Sequence, residues 1–573
     1  MNEFLQRRAS KFWAGVSACV LLAVMPLPWS VGLLSFDHPK ELWILAAALP
    51  VWLGWLAAGQ ARVSRGFLAL LGLCAVWLVW GAALPGEAST GARFAALVGG
   101  GILLLGAALQ PLAGDRGWRA PLVAAFLAGA SATAVLALLQ YSGLASGLFP
   151  VYAHYDQRLY SVFGNQDLLG GYMALAVVLA GSVLPYARFR TAQLLAWGAA
   201  TLCFLALLLS GCRSAWAACA VGLGLLGWVE RKRLTPGMGV QALGLLGVAT
   251  LTTLAMAWEQ TGQRFFSLFF TGDMGGGVRW WIARASFDMF QAHPLAGLGP
   301  GRFGVESPRY MAAVLHEEPG AVGVYNELWA EFPHSFLLEA LAEGGLLGVA
   351  MLTLAVVIFA RKLRDAAPLP GLTTLLCFAL FNDAFRSAPH AVAFLVLLGG
   401  CMKKGESGAE SGGLTLGRRS LVCLLLVQAV TLLGYMAGVF VPSSQLARAE
   451  DAHLRGEDAQ ALFESAATRP YTRADTLLGG AASALEQGQW EAAWTAAHAA
   501  LPQRDTWLTH WILGAAARGM GREAEARKAL RECLYRAPRN EAAFQALWEI
   551  SSLTELEELE QHARIWGIVP TEP

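Results

Sequence analysis

Charge is what this sequence has least of. Only 14% of its 573 residues are Asp, Glu, Lys or Arg, and 56% are hydrophobic; a soluble domain carries about a quarter charged residues. That balance excludes an ordinary water-soluble globule and points to lipid as solvent. The net charge of +1 gives no general attraction to nucleic acid, and no nucleic-acid partner is expected. The nine cysteines fall mostly inside apolar runs and include no CxxC pair, so they read as packing residues and not as a disulfide or metal framework. Neither a Walker-type loop nor a dinucleotide fingerprint occurs, which argues against direct use of a nucleotide.

What the chain has instead is apolar runs near bilayer-spanning length, about 17–25 residues each. Thirteen such runs lie between residues 12 and 441. They predict an all-α, polytopic membrane protein of about 12–13 transmembrane helices, with a membrane domain over 1–441. The first run, 12–34, is long, lacks a clear small-residue cleavage site and is followed at once by further spans, so it reads as a retained anchor.

Basic residues give the orientation. Loops on the N-terminal side hold Arg7, Arg8, Lys11, Arg62, Arg65, Arg116, Arg119, Arg188, Arg190, Arg231, Lys232, Arg233, Arg361, Lys362, Arg364, Lys403, Lys404, Arg418 and Arg419. The short loops on the opposite side hold only Lys40, Arg93, Arg158, Arg213 and Arg386. Positive charge stays in the cytoplasm, so the N-terminus is expected inside. Thirteen spans then place the C-terminal segment outside.

Two segments break the pattern. Residues 258–334 form a long loop on the outer side by parity, and long loops tend to be functional. Residues 442–573 are soluble in composition and carry a 34-residue period: Gly480 and Gly514, Ala492 and Ala526, Ala496 and Leu530. Small residues at that spacing resemble tetratricopeptide repeats, although most of the usual aromatic positions are missing. The alternative is an irregular array of helical hairpins. Either version offers a groove for a protein or glycan partner.

The most informative stretch is PHSFLLEALAEGGLLG, from Pro333 to Gly348. His334 stands where the outside loop meets a membrane helix. In the first helical turn it would feel the positive end of the dipole, which favours the neutral imidazole a general base needs. On a continuous helix at 100° per residue, Gly345 and Gly348 would lie near the same face and let a neighbouring helix approach. The competing reading is a histidine that merely caps the helix.

His334-Ser335, nine residues, Gly345, two residues and Gly348 resemble the H-[NSQ]-x9-G-x-x-G pattern of the O-antigen ligases. Other pieces resemble that superfamily in order: FDHPKELWIL near its first outside loop, GNQDLLGGY (Gly164–Tyr172), LLLSGCRSAWAA (Leu207–Ala218) and FQAHPLAGLGPGRFG (Phe290–Gly304). The core motifs span about 160–350. One departure is Cys212, where serine is more usual. The resemblance implies a glycosyltransferase that moves an oligo- or polysaccharide from an undecaprenyl diphosphate carrier to an acceptor hydroxyl on the periplasmic face of the bacterial inner membrane. It also implies no nucleotide, no metal and no other cofactor. Lipid A–core is the default acceptor; a protein hydroxyl or a growing polymer end would make the protein an oligosaccharyltransferase or a polymerase.

A diphosphate leaving group needs cationic donors. Arg279, heading RWWIARASFDMF, matches the family's arginine and is taken as catalytic and substrate-binding with His334. Trp280, Ala283, Phe287 and Phe290 would form an apolar stripe on that helix. Arg284, about 140° further round, should not converge with Arg279. Arg213 is a second donor candidate at the outer boundary. For both arginines the competing role is a lipid-phosphate anchor. Asn165 shapes a turn or binds sugar. Glu339 and Glu343 read as braces against an arginine, and Asp383 and Arg386 as a structural pair. A transporter of lipid-linked sugars is the rival from another class. It would need midplane ionisable residues and repeated halves, which the sequence does not show.

Overall fold

The computed structural model describes residues 2–30, 35–86, 90–145, 148, 159–256, 274–317, 329–363, 366–402, 413–457 and 459–568. Of the cations used for orientation, Arg158, Arg364, Lys403 and Lys404 lie outside these residues, as do parts of the 258–334 loop. The described chain is almost entirely helical. The membrane unit is built from α1 (Asn2–Val24), α2 (His38–Ala58), α3 (Arg65–Ala83), α4 (Thr90–Ala113), α5 (Arg116–Tyr141), α6 (Gln166–Val183), α7 (Arg190–Leu209), α8 (Arg213–Val229) and α9 (Pro236–Met256). Helices α10 (Met274–Ala292) and α11 (Phe303–Glu317) fall within the long loop, and α12 (Phe336–Lys362), α13 (Leu369–Ala379), α14 (Ala388–Cys401) and α15 (Arg418–Tyr435) complete the unit. Among the described residues nine helices are long and apolar enough to cross a bilayer, and four shorter apolar helices accompany them. This is an all-α polytopic membrane protein.

The two ends of the bundle differ. At one end β1 (Gln60–Ser64) pairs antiparallel with β2 (Gly413–Gly417), Gly66 packs on Lys362 and Met402, and Arg119 donates to the Gly400 carbonyl at 3.0 Å. The basic loops thus gather there. At the other end the fully buried Lys40 donates to the carbonyls of Phe36 and, at 2.7 Å, Val162, fixing the loop before α6. Among the nine long spans of the described residues α6 is the most enclosed, so whatever its first turn carries is held firmly.

Helices α13 and α14 have 11 and 14 residues, about 16 and 21 Å at 1.5 Å per residue, against a hydrocarbon core of about 30 Å. Neither crosses alone at full depth. Helix α15 runs through a π turn (Met436–Phe440) into α16 (Val441–Leu454). The 441/442 division expected between membrane and soluble segments therefore falls inside one continuous helix, Arg418–Leu454.

Beyond it come α17 (Gln460–Ala467), α18 (Arg473–Glu486), α19 (Trp490–Ala500), α20 (Trp507–Gly519), α21 (Glu523–Arg536), α22 (Glu541–Trp548) and α23 (Leu553–Trp566). Helices α18 and α20 start 34 residues apart, at 473 and 507, the spacing of the small-residue period. This array lies on the His334 end, since α10 and α11 share a hydrophobic core with α21, α22 and α23.

Candidate functional site

His334 does not stand in the first helical turn. Ser335 is the N-cap of α12, in extended backbone, and its hydroxyl accepts from the Leu338 amide at 3.5 Å. His334 precedes the cap with φ of +52°, a left-handed conformation that a non-glycine residue adopts at a cost of about 1–3 kcal/mol. That turn points the imidazole away from the helix to Asp383, with Nδ1 2.7 Å from Oδ2. A carboxylate on Nδ1 fixes the tautomer, leaving the Nε2 lone pair for a proton. The histidine side chain is 42% exposed and the aspartate 14%, so the free nitrogen is reachable while its partner is sheltered.

Asp383 belongs to the α13–α14 turn, and that turn organises the rest of the site. Its neighbour Asn382 donates from Nδ2 to the Ser214 hydroxyl at 2.6 Å and accepts from Arg279 Nη2 at 3.4 Å. Arg279 also meets Asp167 Oδ2 at 3.1 Å. Asp167 is in the first turn of α6, whose N-cap Asn165 accepts from the Asp167 and Leu168 amides at 2.8 and 3.1 Å. Asn165 thus acts here through its carbonyl oxygen as a helix cap that positions Asp167. Arg213 is the first residue of α8, next to the Ser214 held by Asn382. One turn therefore connects His334, Arg279 and the start of α8.

Three expectations about pairing change. Asp383 and Arg386 are not each other's side-chain partners: Asp383 takes His334, and Arg386 donates to Glu339 at 2.8 Å and lies 3.8 Å over the Phe332 ring. Glu339 does brace against an arginine, but Glu343 does not. Its buried carboxylate accepts from the Gly301 and Phe303 amides at 2.8 and 3.0 Å, holding the start of α11. The third concerns the glycine face. Helix α12 is broken at Gly345 (φ +56°, ψ −146°), so Gly345 and Gly348 do not share a face of one continuous helix with His334.

The break is filled by the 293–303 loop. The Leu346 and Leu347 amides donate to the Pro294 and Leu295 carbonyls at 2.9 and 3.1 Å, and the Leu298 and Gly299 amides donate to the Ala342 and Glu343 carbonyls at 3.0 and 2.8 Å. Backbone pairs replace the helical bonds lost at the break, satisfying groups that would otherwise be orphaned. Because this loop directly follows α10, it ties the Arg279 helix to the His334 helix. A Cβ at Gly345 would lie 2.6 Å from the Pro294 carbonyl oxygen, and one at Gly297 would lie 2.4 Å from Glu343 backbone. Gly345→Ala should therefore lower stability by about 1–3 kcal/mol and depress Tm in detergent, with transfer reduced. Gly72→Ala, where nothing lies within 4 Å, is the control. Equal Tm for the two variants would contradict this account of the break.

Arg284 diverges from Arg279 as its angular offset requires and pairs with Glu317 of α11. On α10 Trp280 and Phe287 are exposed while Ile282, Ala285 and Met289 are buried, so the apolar stripe lies on the outer face. Among the described residues no group of three or more His, Cys, Asp or Glu is placed to hold a metal ion. The residues that sequence reasoning missed are Asp167, Asn382 and the role of Asp383. Their signal was polar side chains bordering apolar runs, which are costly there unless used.

The polytopic helical bundle thus gathers an oriented imidazole and a guanidinium at one end, a candidate site for chemistry. The O-antigen ligase family model matches residues 198–353, from α7 to the middle of α12, and supports the O-antigen ligase superfamily for this part of the chain. Arg213, Arg279 and His334 lie within the match; Asn165, Asp167, Asn382, Asp383 and the C-terminal array lie outside it. No curated protein matches the chain. The match supports, in general terms, a glycan ligase or polymerase role with glycosyltransferase-like chemistry and a lipid-linked glycan donor.

Proposed function

We propose that this protein transfers an oligo- or polysaccharide from undecaprenyl diphosphate to an acceptor hydroxyl at the periplasmic face of the bacterial inner membrane. The observation that carries the reading is the His334–Asp383 pair at 2.7 Å, joined through Asn382 to Arg279. His334 Nε2 takes the proton of the acceptor hydroxyl, whose oxygen attacks the anomeric carbon while the bond to the diphosphate breaks. This is an inverting displacement without nucleotide hydrolysis. Arg279 and Arg213 meet the charge on the departing undecaprenyl diphosphate, the place where positioned cations matter most. An apolar cleft of about 240 Å³, lined by Leu207, Trp216, Cys219, Leu223 and Leu254 among others, runs along α8 and offers the carrier's first isoprene units a place. Lipid A–core is the first acceptor the family suggests. A polypeptide hydroxyl or a polymer end takes the same chemistry.

Purified protein in liposomes, given the lipid-linked glycan and acceptor without nucleotide, should release undecaprenyl diphosphate as product forms. No release would overturn the reading. The alternation of basic loops further predicts that the array is periplasmic. A C-terminal alkaline phosphatase fusion should be active and a fluorescent-protein fusion dark, and the reverse pattern would put site and array in the cytoplasm.

A further inference from the structure

Arg279 has two partners of different kinds. Both bonds leave from Nη2, to Asp167 Oδ2 at 3.1 Å and to Asn382 Oδ1 at 3.4 Å. The Asp167 pair stands in the open: the arginine side chain is 42% exposed and the aspartate 30%. An ion pair in that setting adds little stability, because water competes for both charges. Asn382 is buried, at 2%, and its amide has a single orientation. Nδ2 donates to the Ser214 hydroxyl at 2.6 Å and to the Phe378 carbonyl at 3.3 Å, and a carbonyl can only accept. Turning the amide over would set its oxygen against that carbonyl and its NH2 group against the guanidinium. Oδ1 is therefore committed to Arg279.

The elements that carry the two partners are locked together. Ser214 Oγ lies 3.2 Å from Cys212 Sγ, and the Cys212 amide donates to Ser210 Oγ at 3.3 Å. Gly170, about one turn beyond Asp167 on α6, closes on this α7–α8 turn. A Cβ there would lie 2.8 Å from the Cys212 Cβ and 2.9 Å from Ser210 Oγ. Packing this close leaves α6 and α8 no room to slide, so a change of partner at Arg279 falls to the side chains. The part-exposed Asp167 carboxylate has room to turn away, and the buried Asn382 amide does not.

We propose that Arg279 works between a fixed and an exchangeable partner. Asn382, backed by Ser214, is a positioning residue that holds the guanidinium in place. Asp167 holds it only until a prenyl diphosphate arrives, yields it to the phosphate oxygens, and reclaims it when the product leaves. While the diphosphate is bound, Asp167 is a neighbouring negative charge, and like charges oppose one another. That repulsion hastens release of the product. Neither residue touches the reacting bond; both act through Arg279. The inference rests on the transferase reading.

The test is equilibrium binding of undecaprenyl diphosphate to the purified full-length protein in nanodiscs, for the parent, Asp167→Asn, Asn382→Ala and Ser214→Ala, with Tm for each. Asp167→Asn should bind tighter by about fivefold, the most that an exposed pair is usually worth. Asn382→Ala should bind roughly tenfold weaker, as where a hydrogen bond to a charged group is lost, and Ser214→Ala weaker by a smaller factor. In transfer assays Asn382→Ala should lose turnover with no shift of the pH profile, because His334 keeps Asp383. A network that merely braces the fold would move all three variants in one direction. Weaker or parental binding by Asp167→Asn would therefore overturn the exchange. Parental binding by Asn382→Ala, or a shifted pH profile, would overturn its positioning of Arg279; if that variant does not fold, parental binding by Ser214→Ala does the same. A parent that neither binds undecaprenyl diphosphate nor releases it from a lipid-linked glycan would bring down the transferase reading instead.

Discussion

His334→Asn is expected to slow glycan transfer by about 10²–10⁴-fold, the usual loss of a general base, with little change in folding. Asparagine is the informative replacement because the position has a φ of +52°, and asparagine enters the left-handed region more readily than other non-glycine residues. Alanine would add backbone strain to the loss of the imidazole and blur the result. The helix cap is untouched, since Ser335 supplies it. Transfer from a defined undecaprenyl diphosphate donor, alongside Tm in detergent, separates the two contributions. A variant with parental Tm and parental rate would make the imidazole a structural group.

Arg279→Lys should lose about 10²-fold in turnover although it keeps the charge, a loss of the size seen when one donor to developing charge is removed. The guanidinium reaches both Asp167 and Asn382 from the same nitrogen, at 3.1 and 3.4 Å, and its planar fork engages phosphate oxygens in parallel. An ammonium group is a point charge and does neither equally well. If the lysine variant turned over at the parental rate, Arg279 would be a membrane anchor. Arg284 would not replace it, being paired with Glu317, and Arg213 would be the remaining donor-side cation.

Much of this architecture was legible because lipid imposes a simple rule: long apolar runs and sorted positive charge. His334 stood out as an imidazole at the join of loop and span. The break at Gly345 did not, because local periodicity assumes a continuous helix, whereas the partners that stabilise the break come from residues 294–299, about fifty positions away. The same blindness put Asp383 with Arg386. Three residues of separation made them look like a pair, but their side chains serve His334 and Glu339 on another element. Glu343 was misread because its partners are backbone amides, which leave no mark in a sequence. The small-residue period of 34 recurs as the offset between the starts of α18 and α20, yet gave no hint of the core that α21, α22 and α23 share with α10 and α11.

The central claim is that Asp383 works through His334. A double-mutant cycle on transfer rate tests it directly, using His334→Asn, Asp383→Asn and the combination, each with Tm recorded. Asp383→Asn alone should slow transfer, because an amide no longer holds the imidazole in the tautomer that leaves Nε2 free to accept. If the two residues act as one unit, the double variant should transfer at the residual rate of His334→Asn, with no further loss. Losses that multiply, or a parental rate for Asp383→Asn, would contradict an aspartate-oriented base at this site.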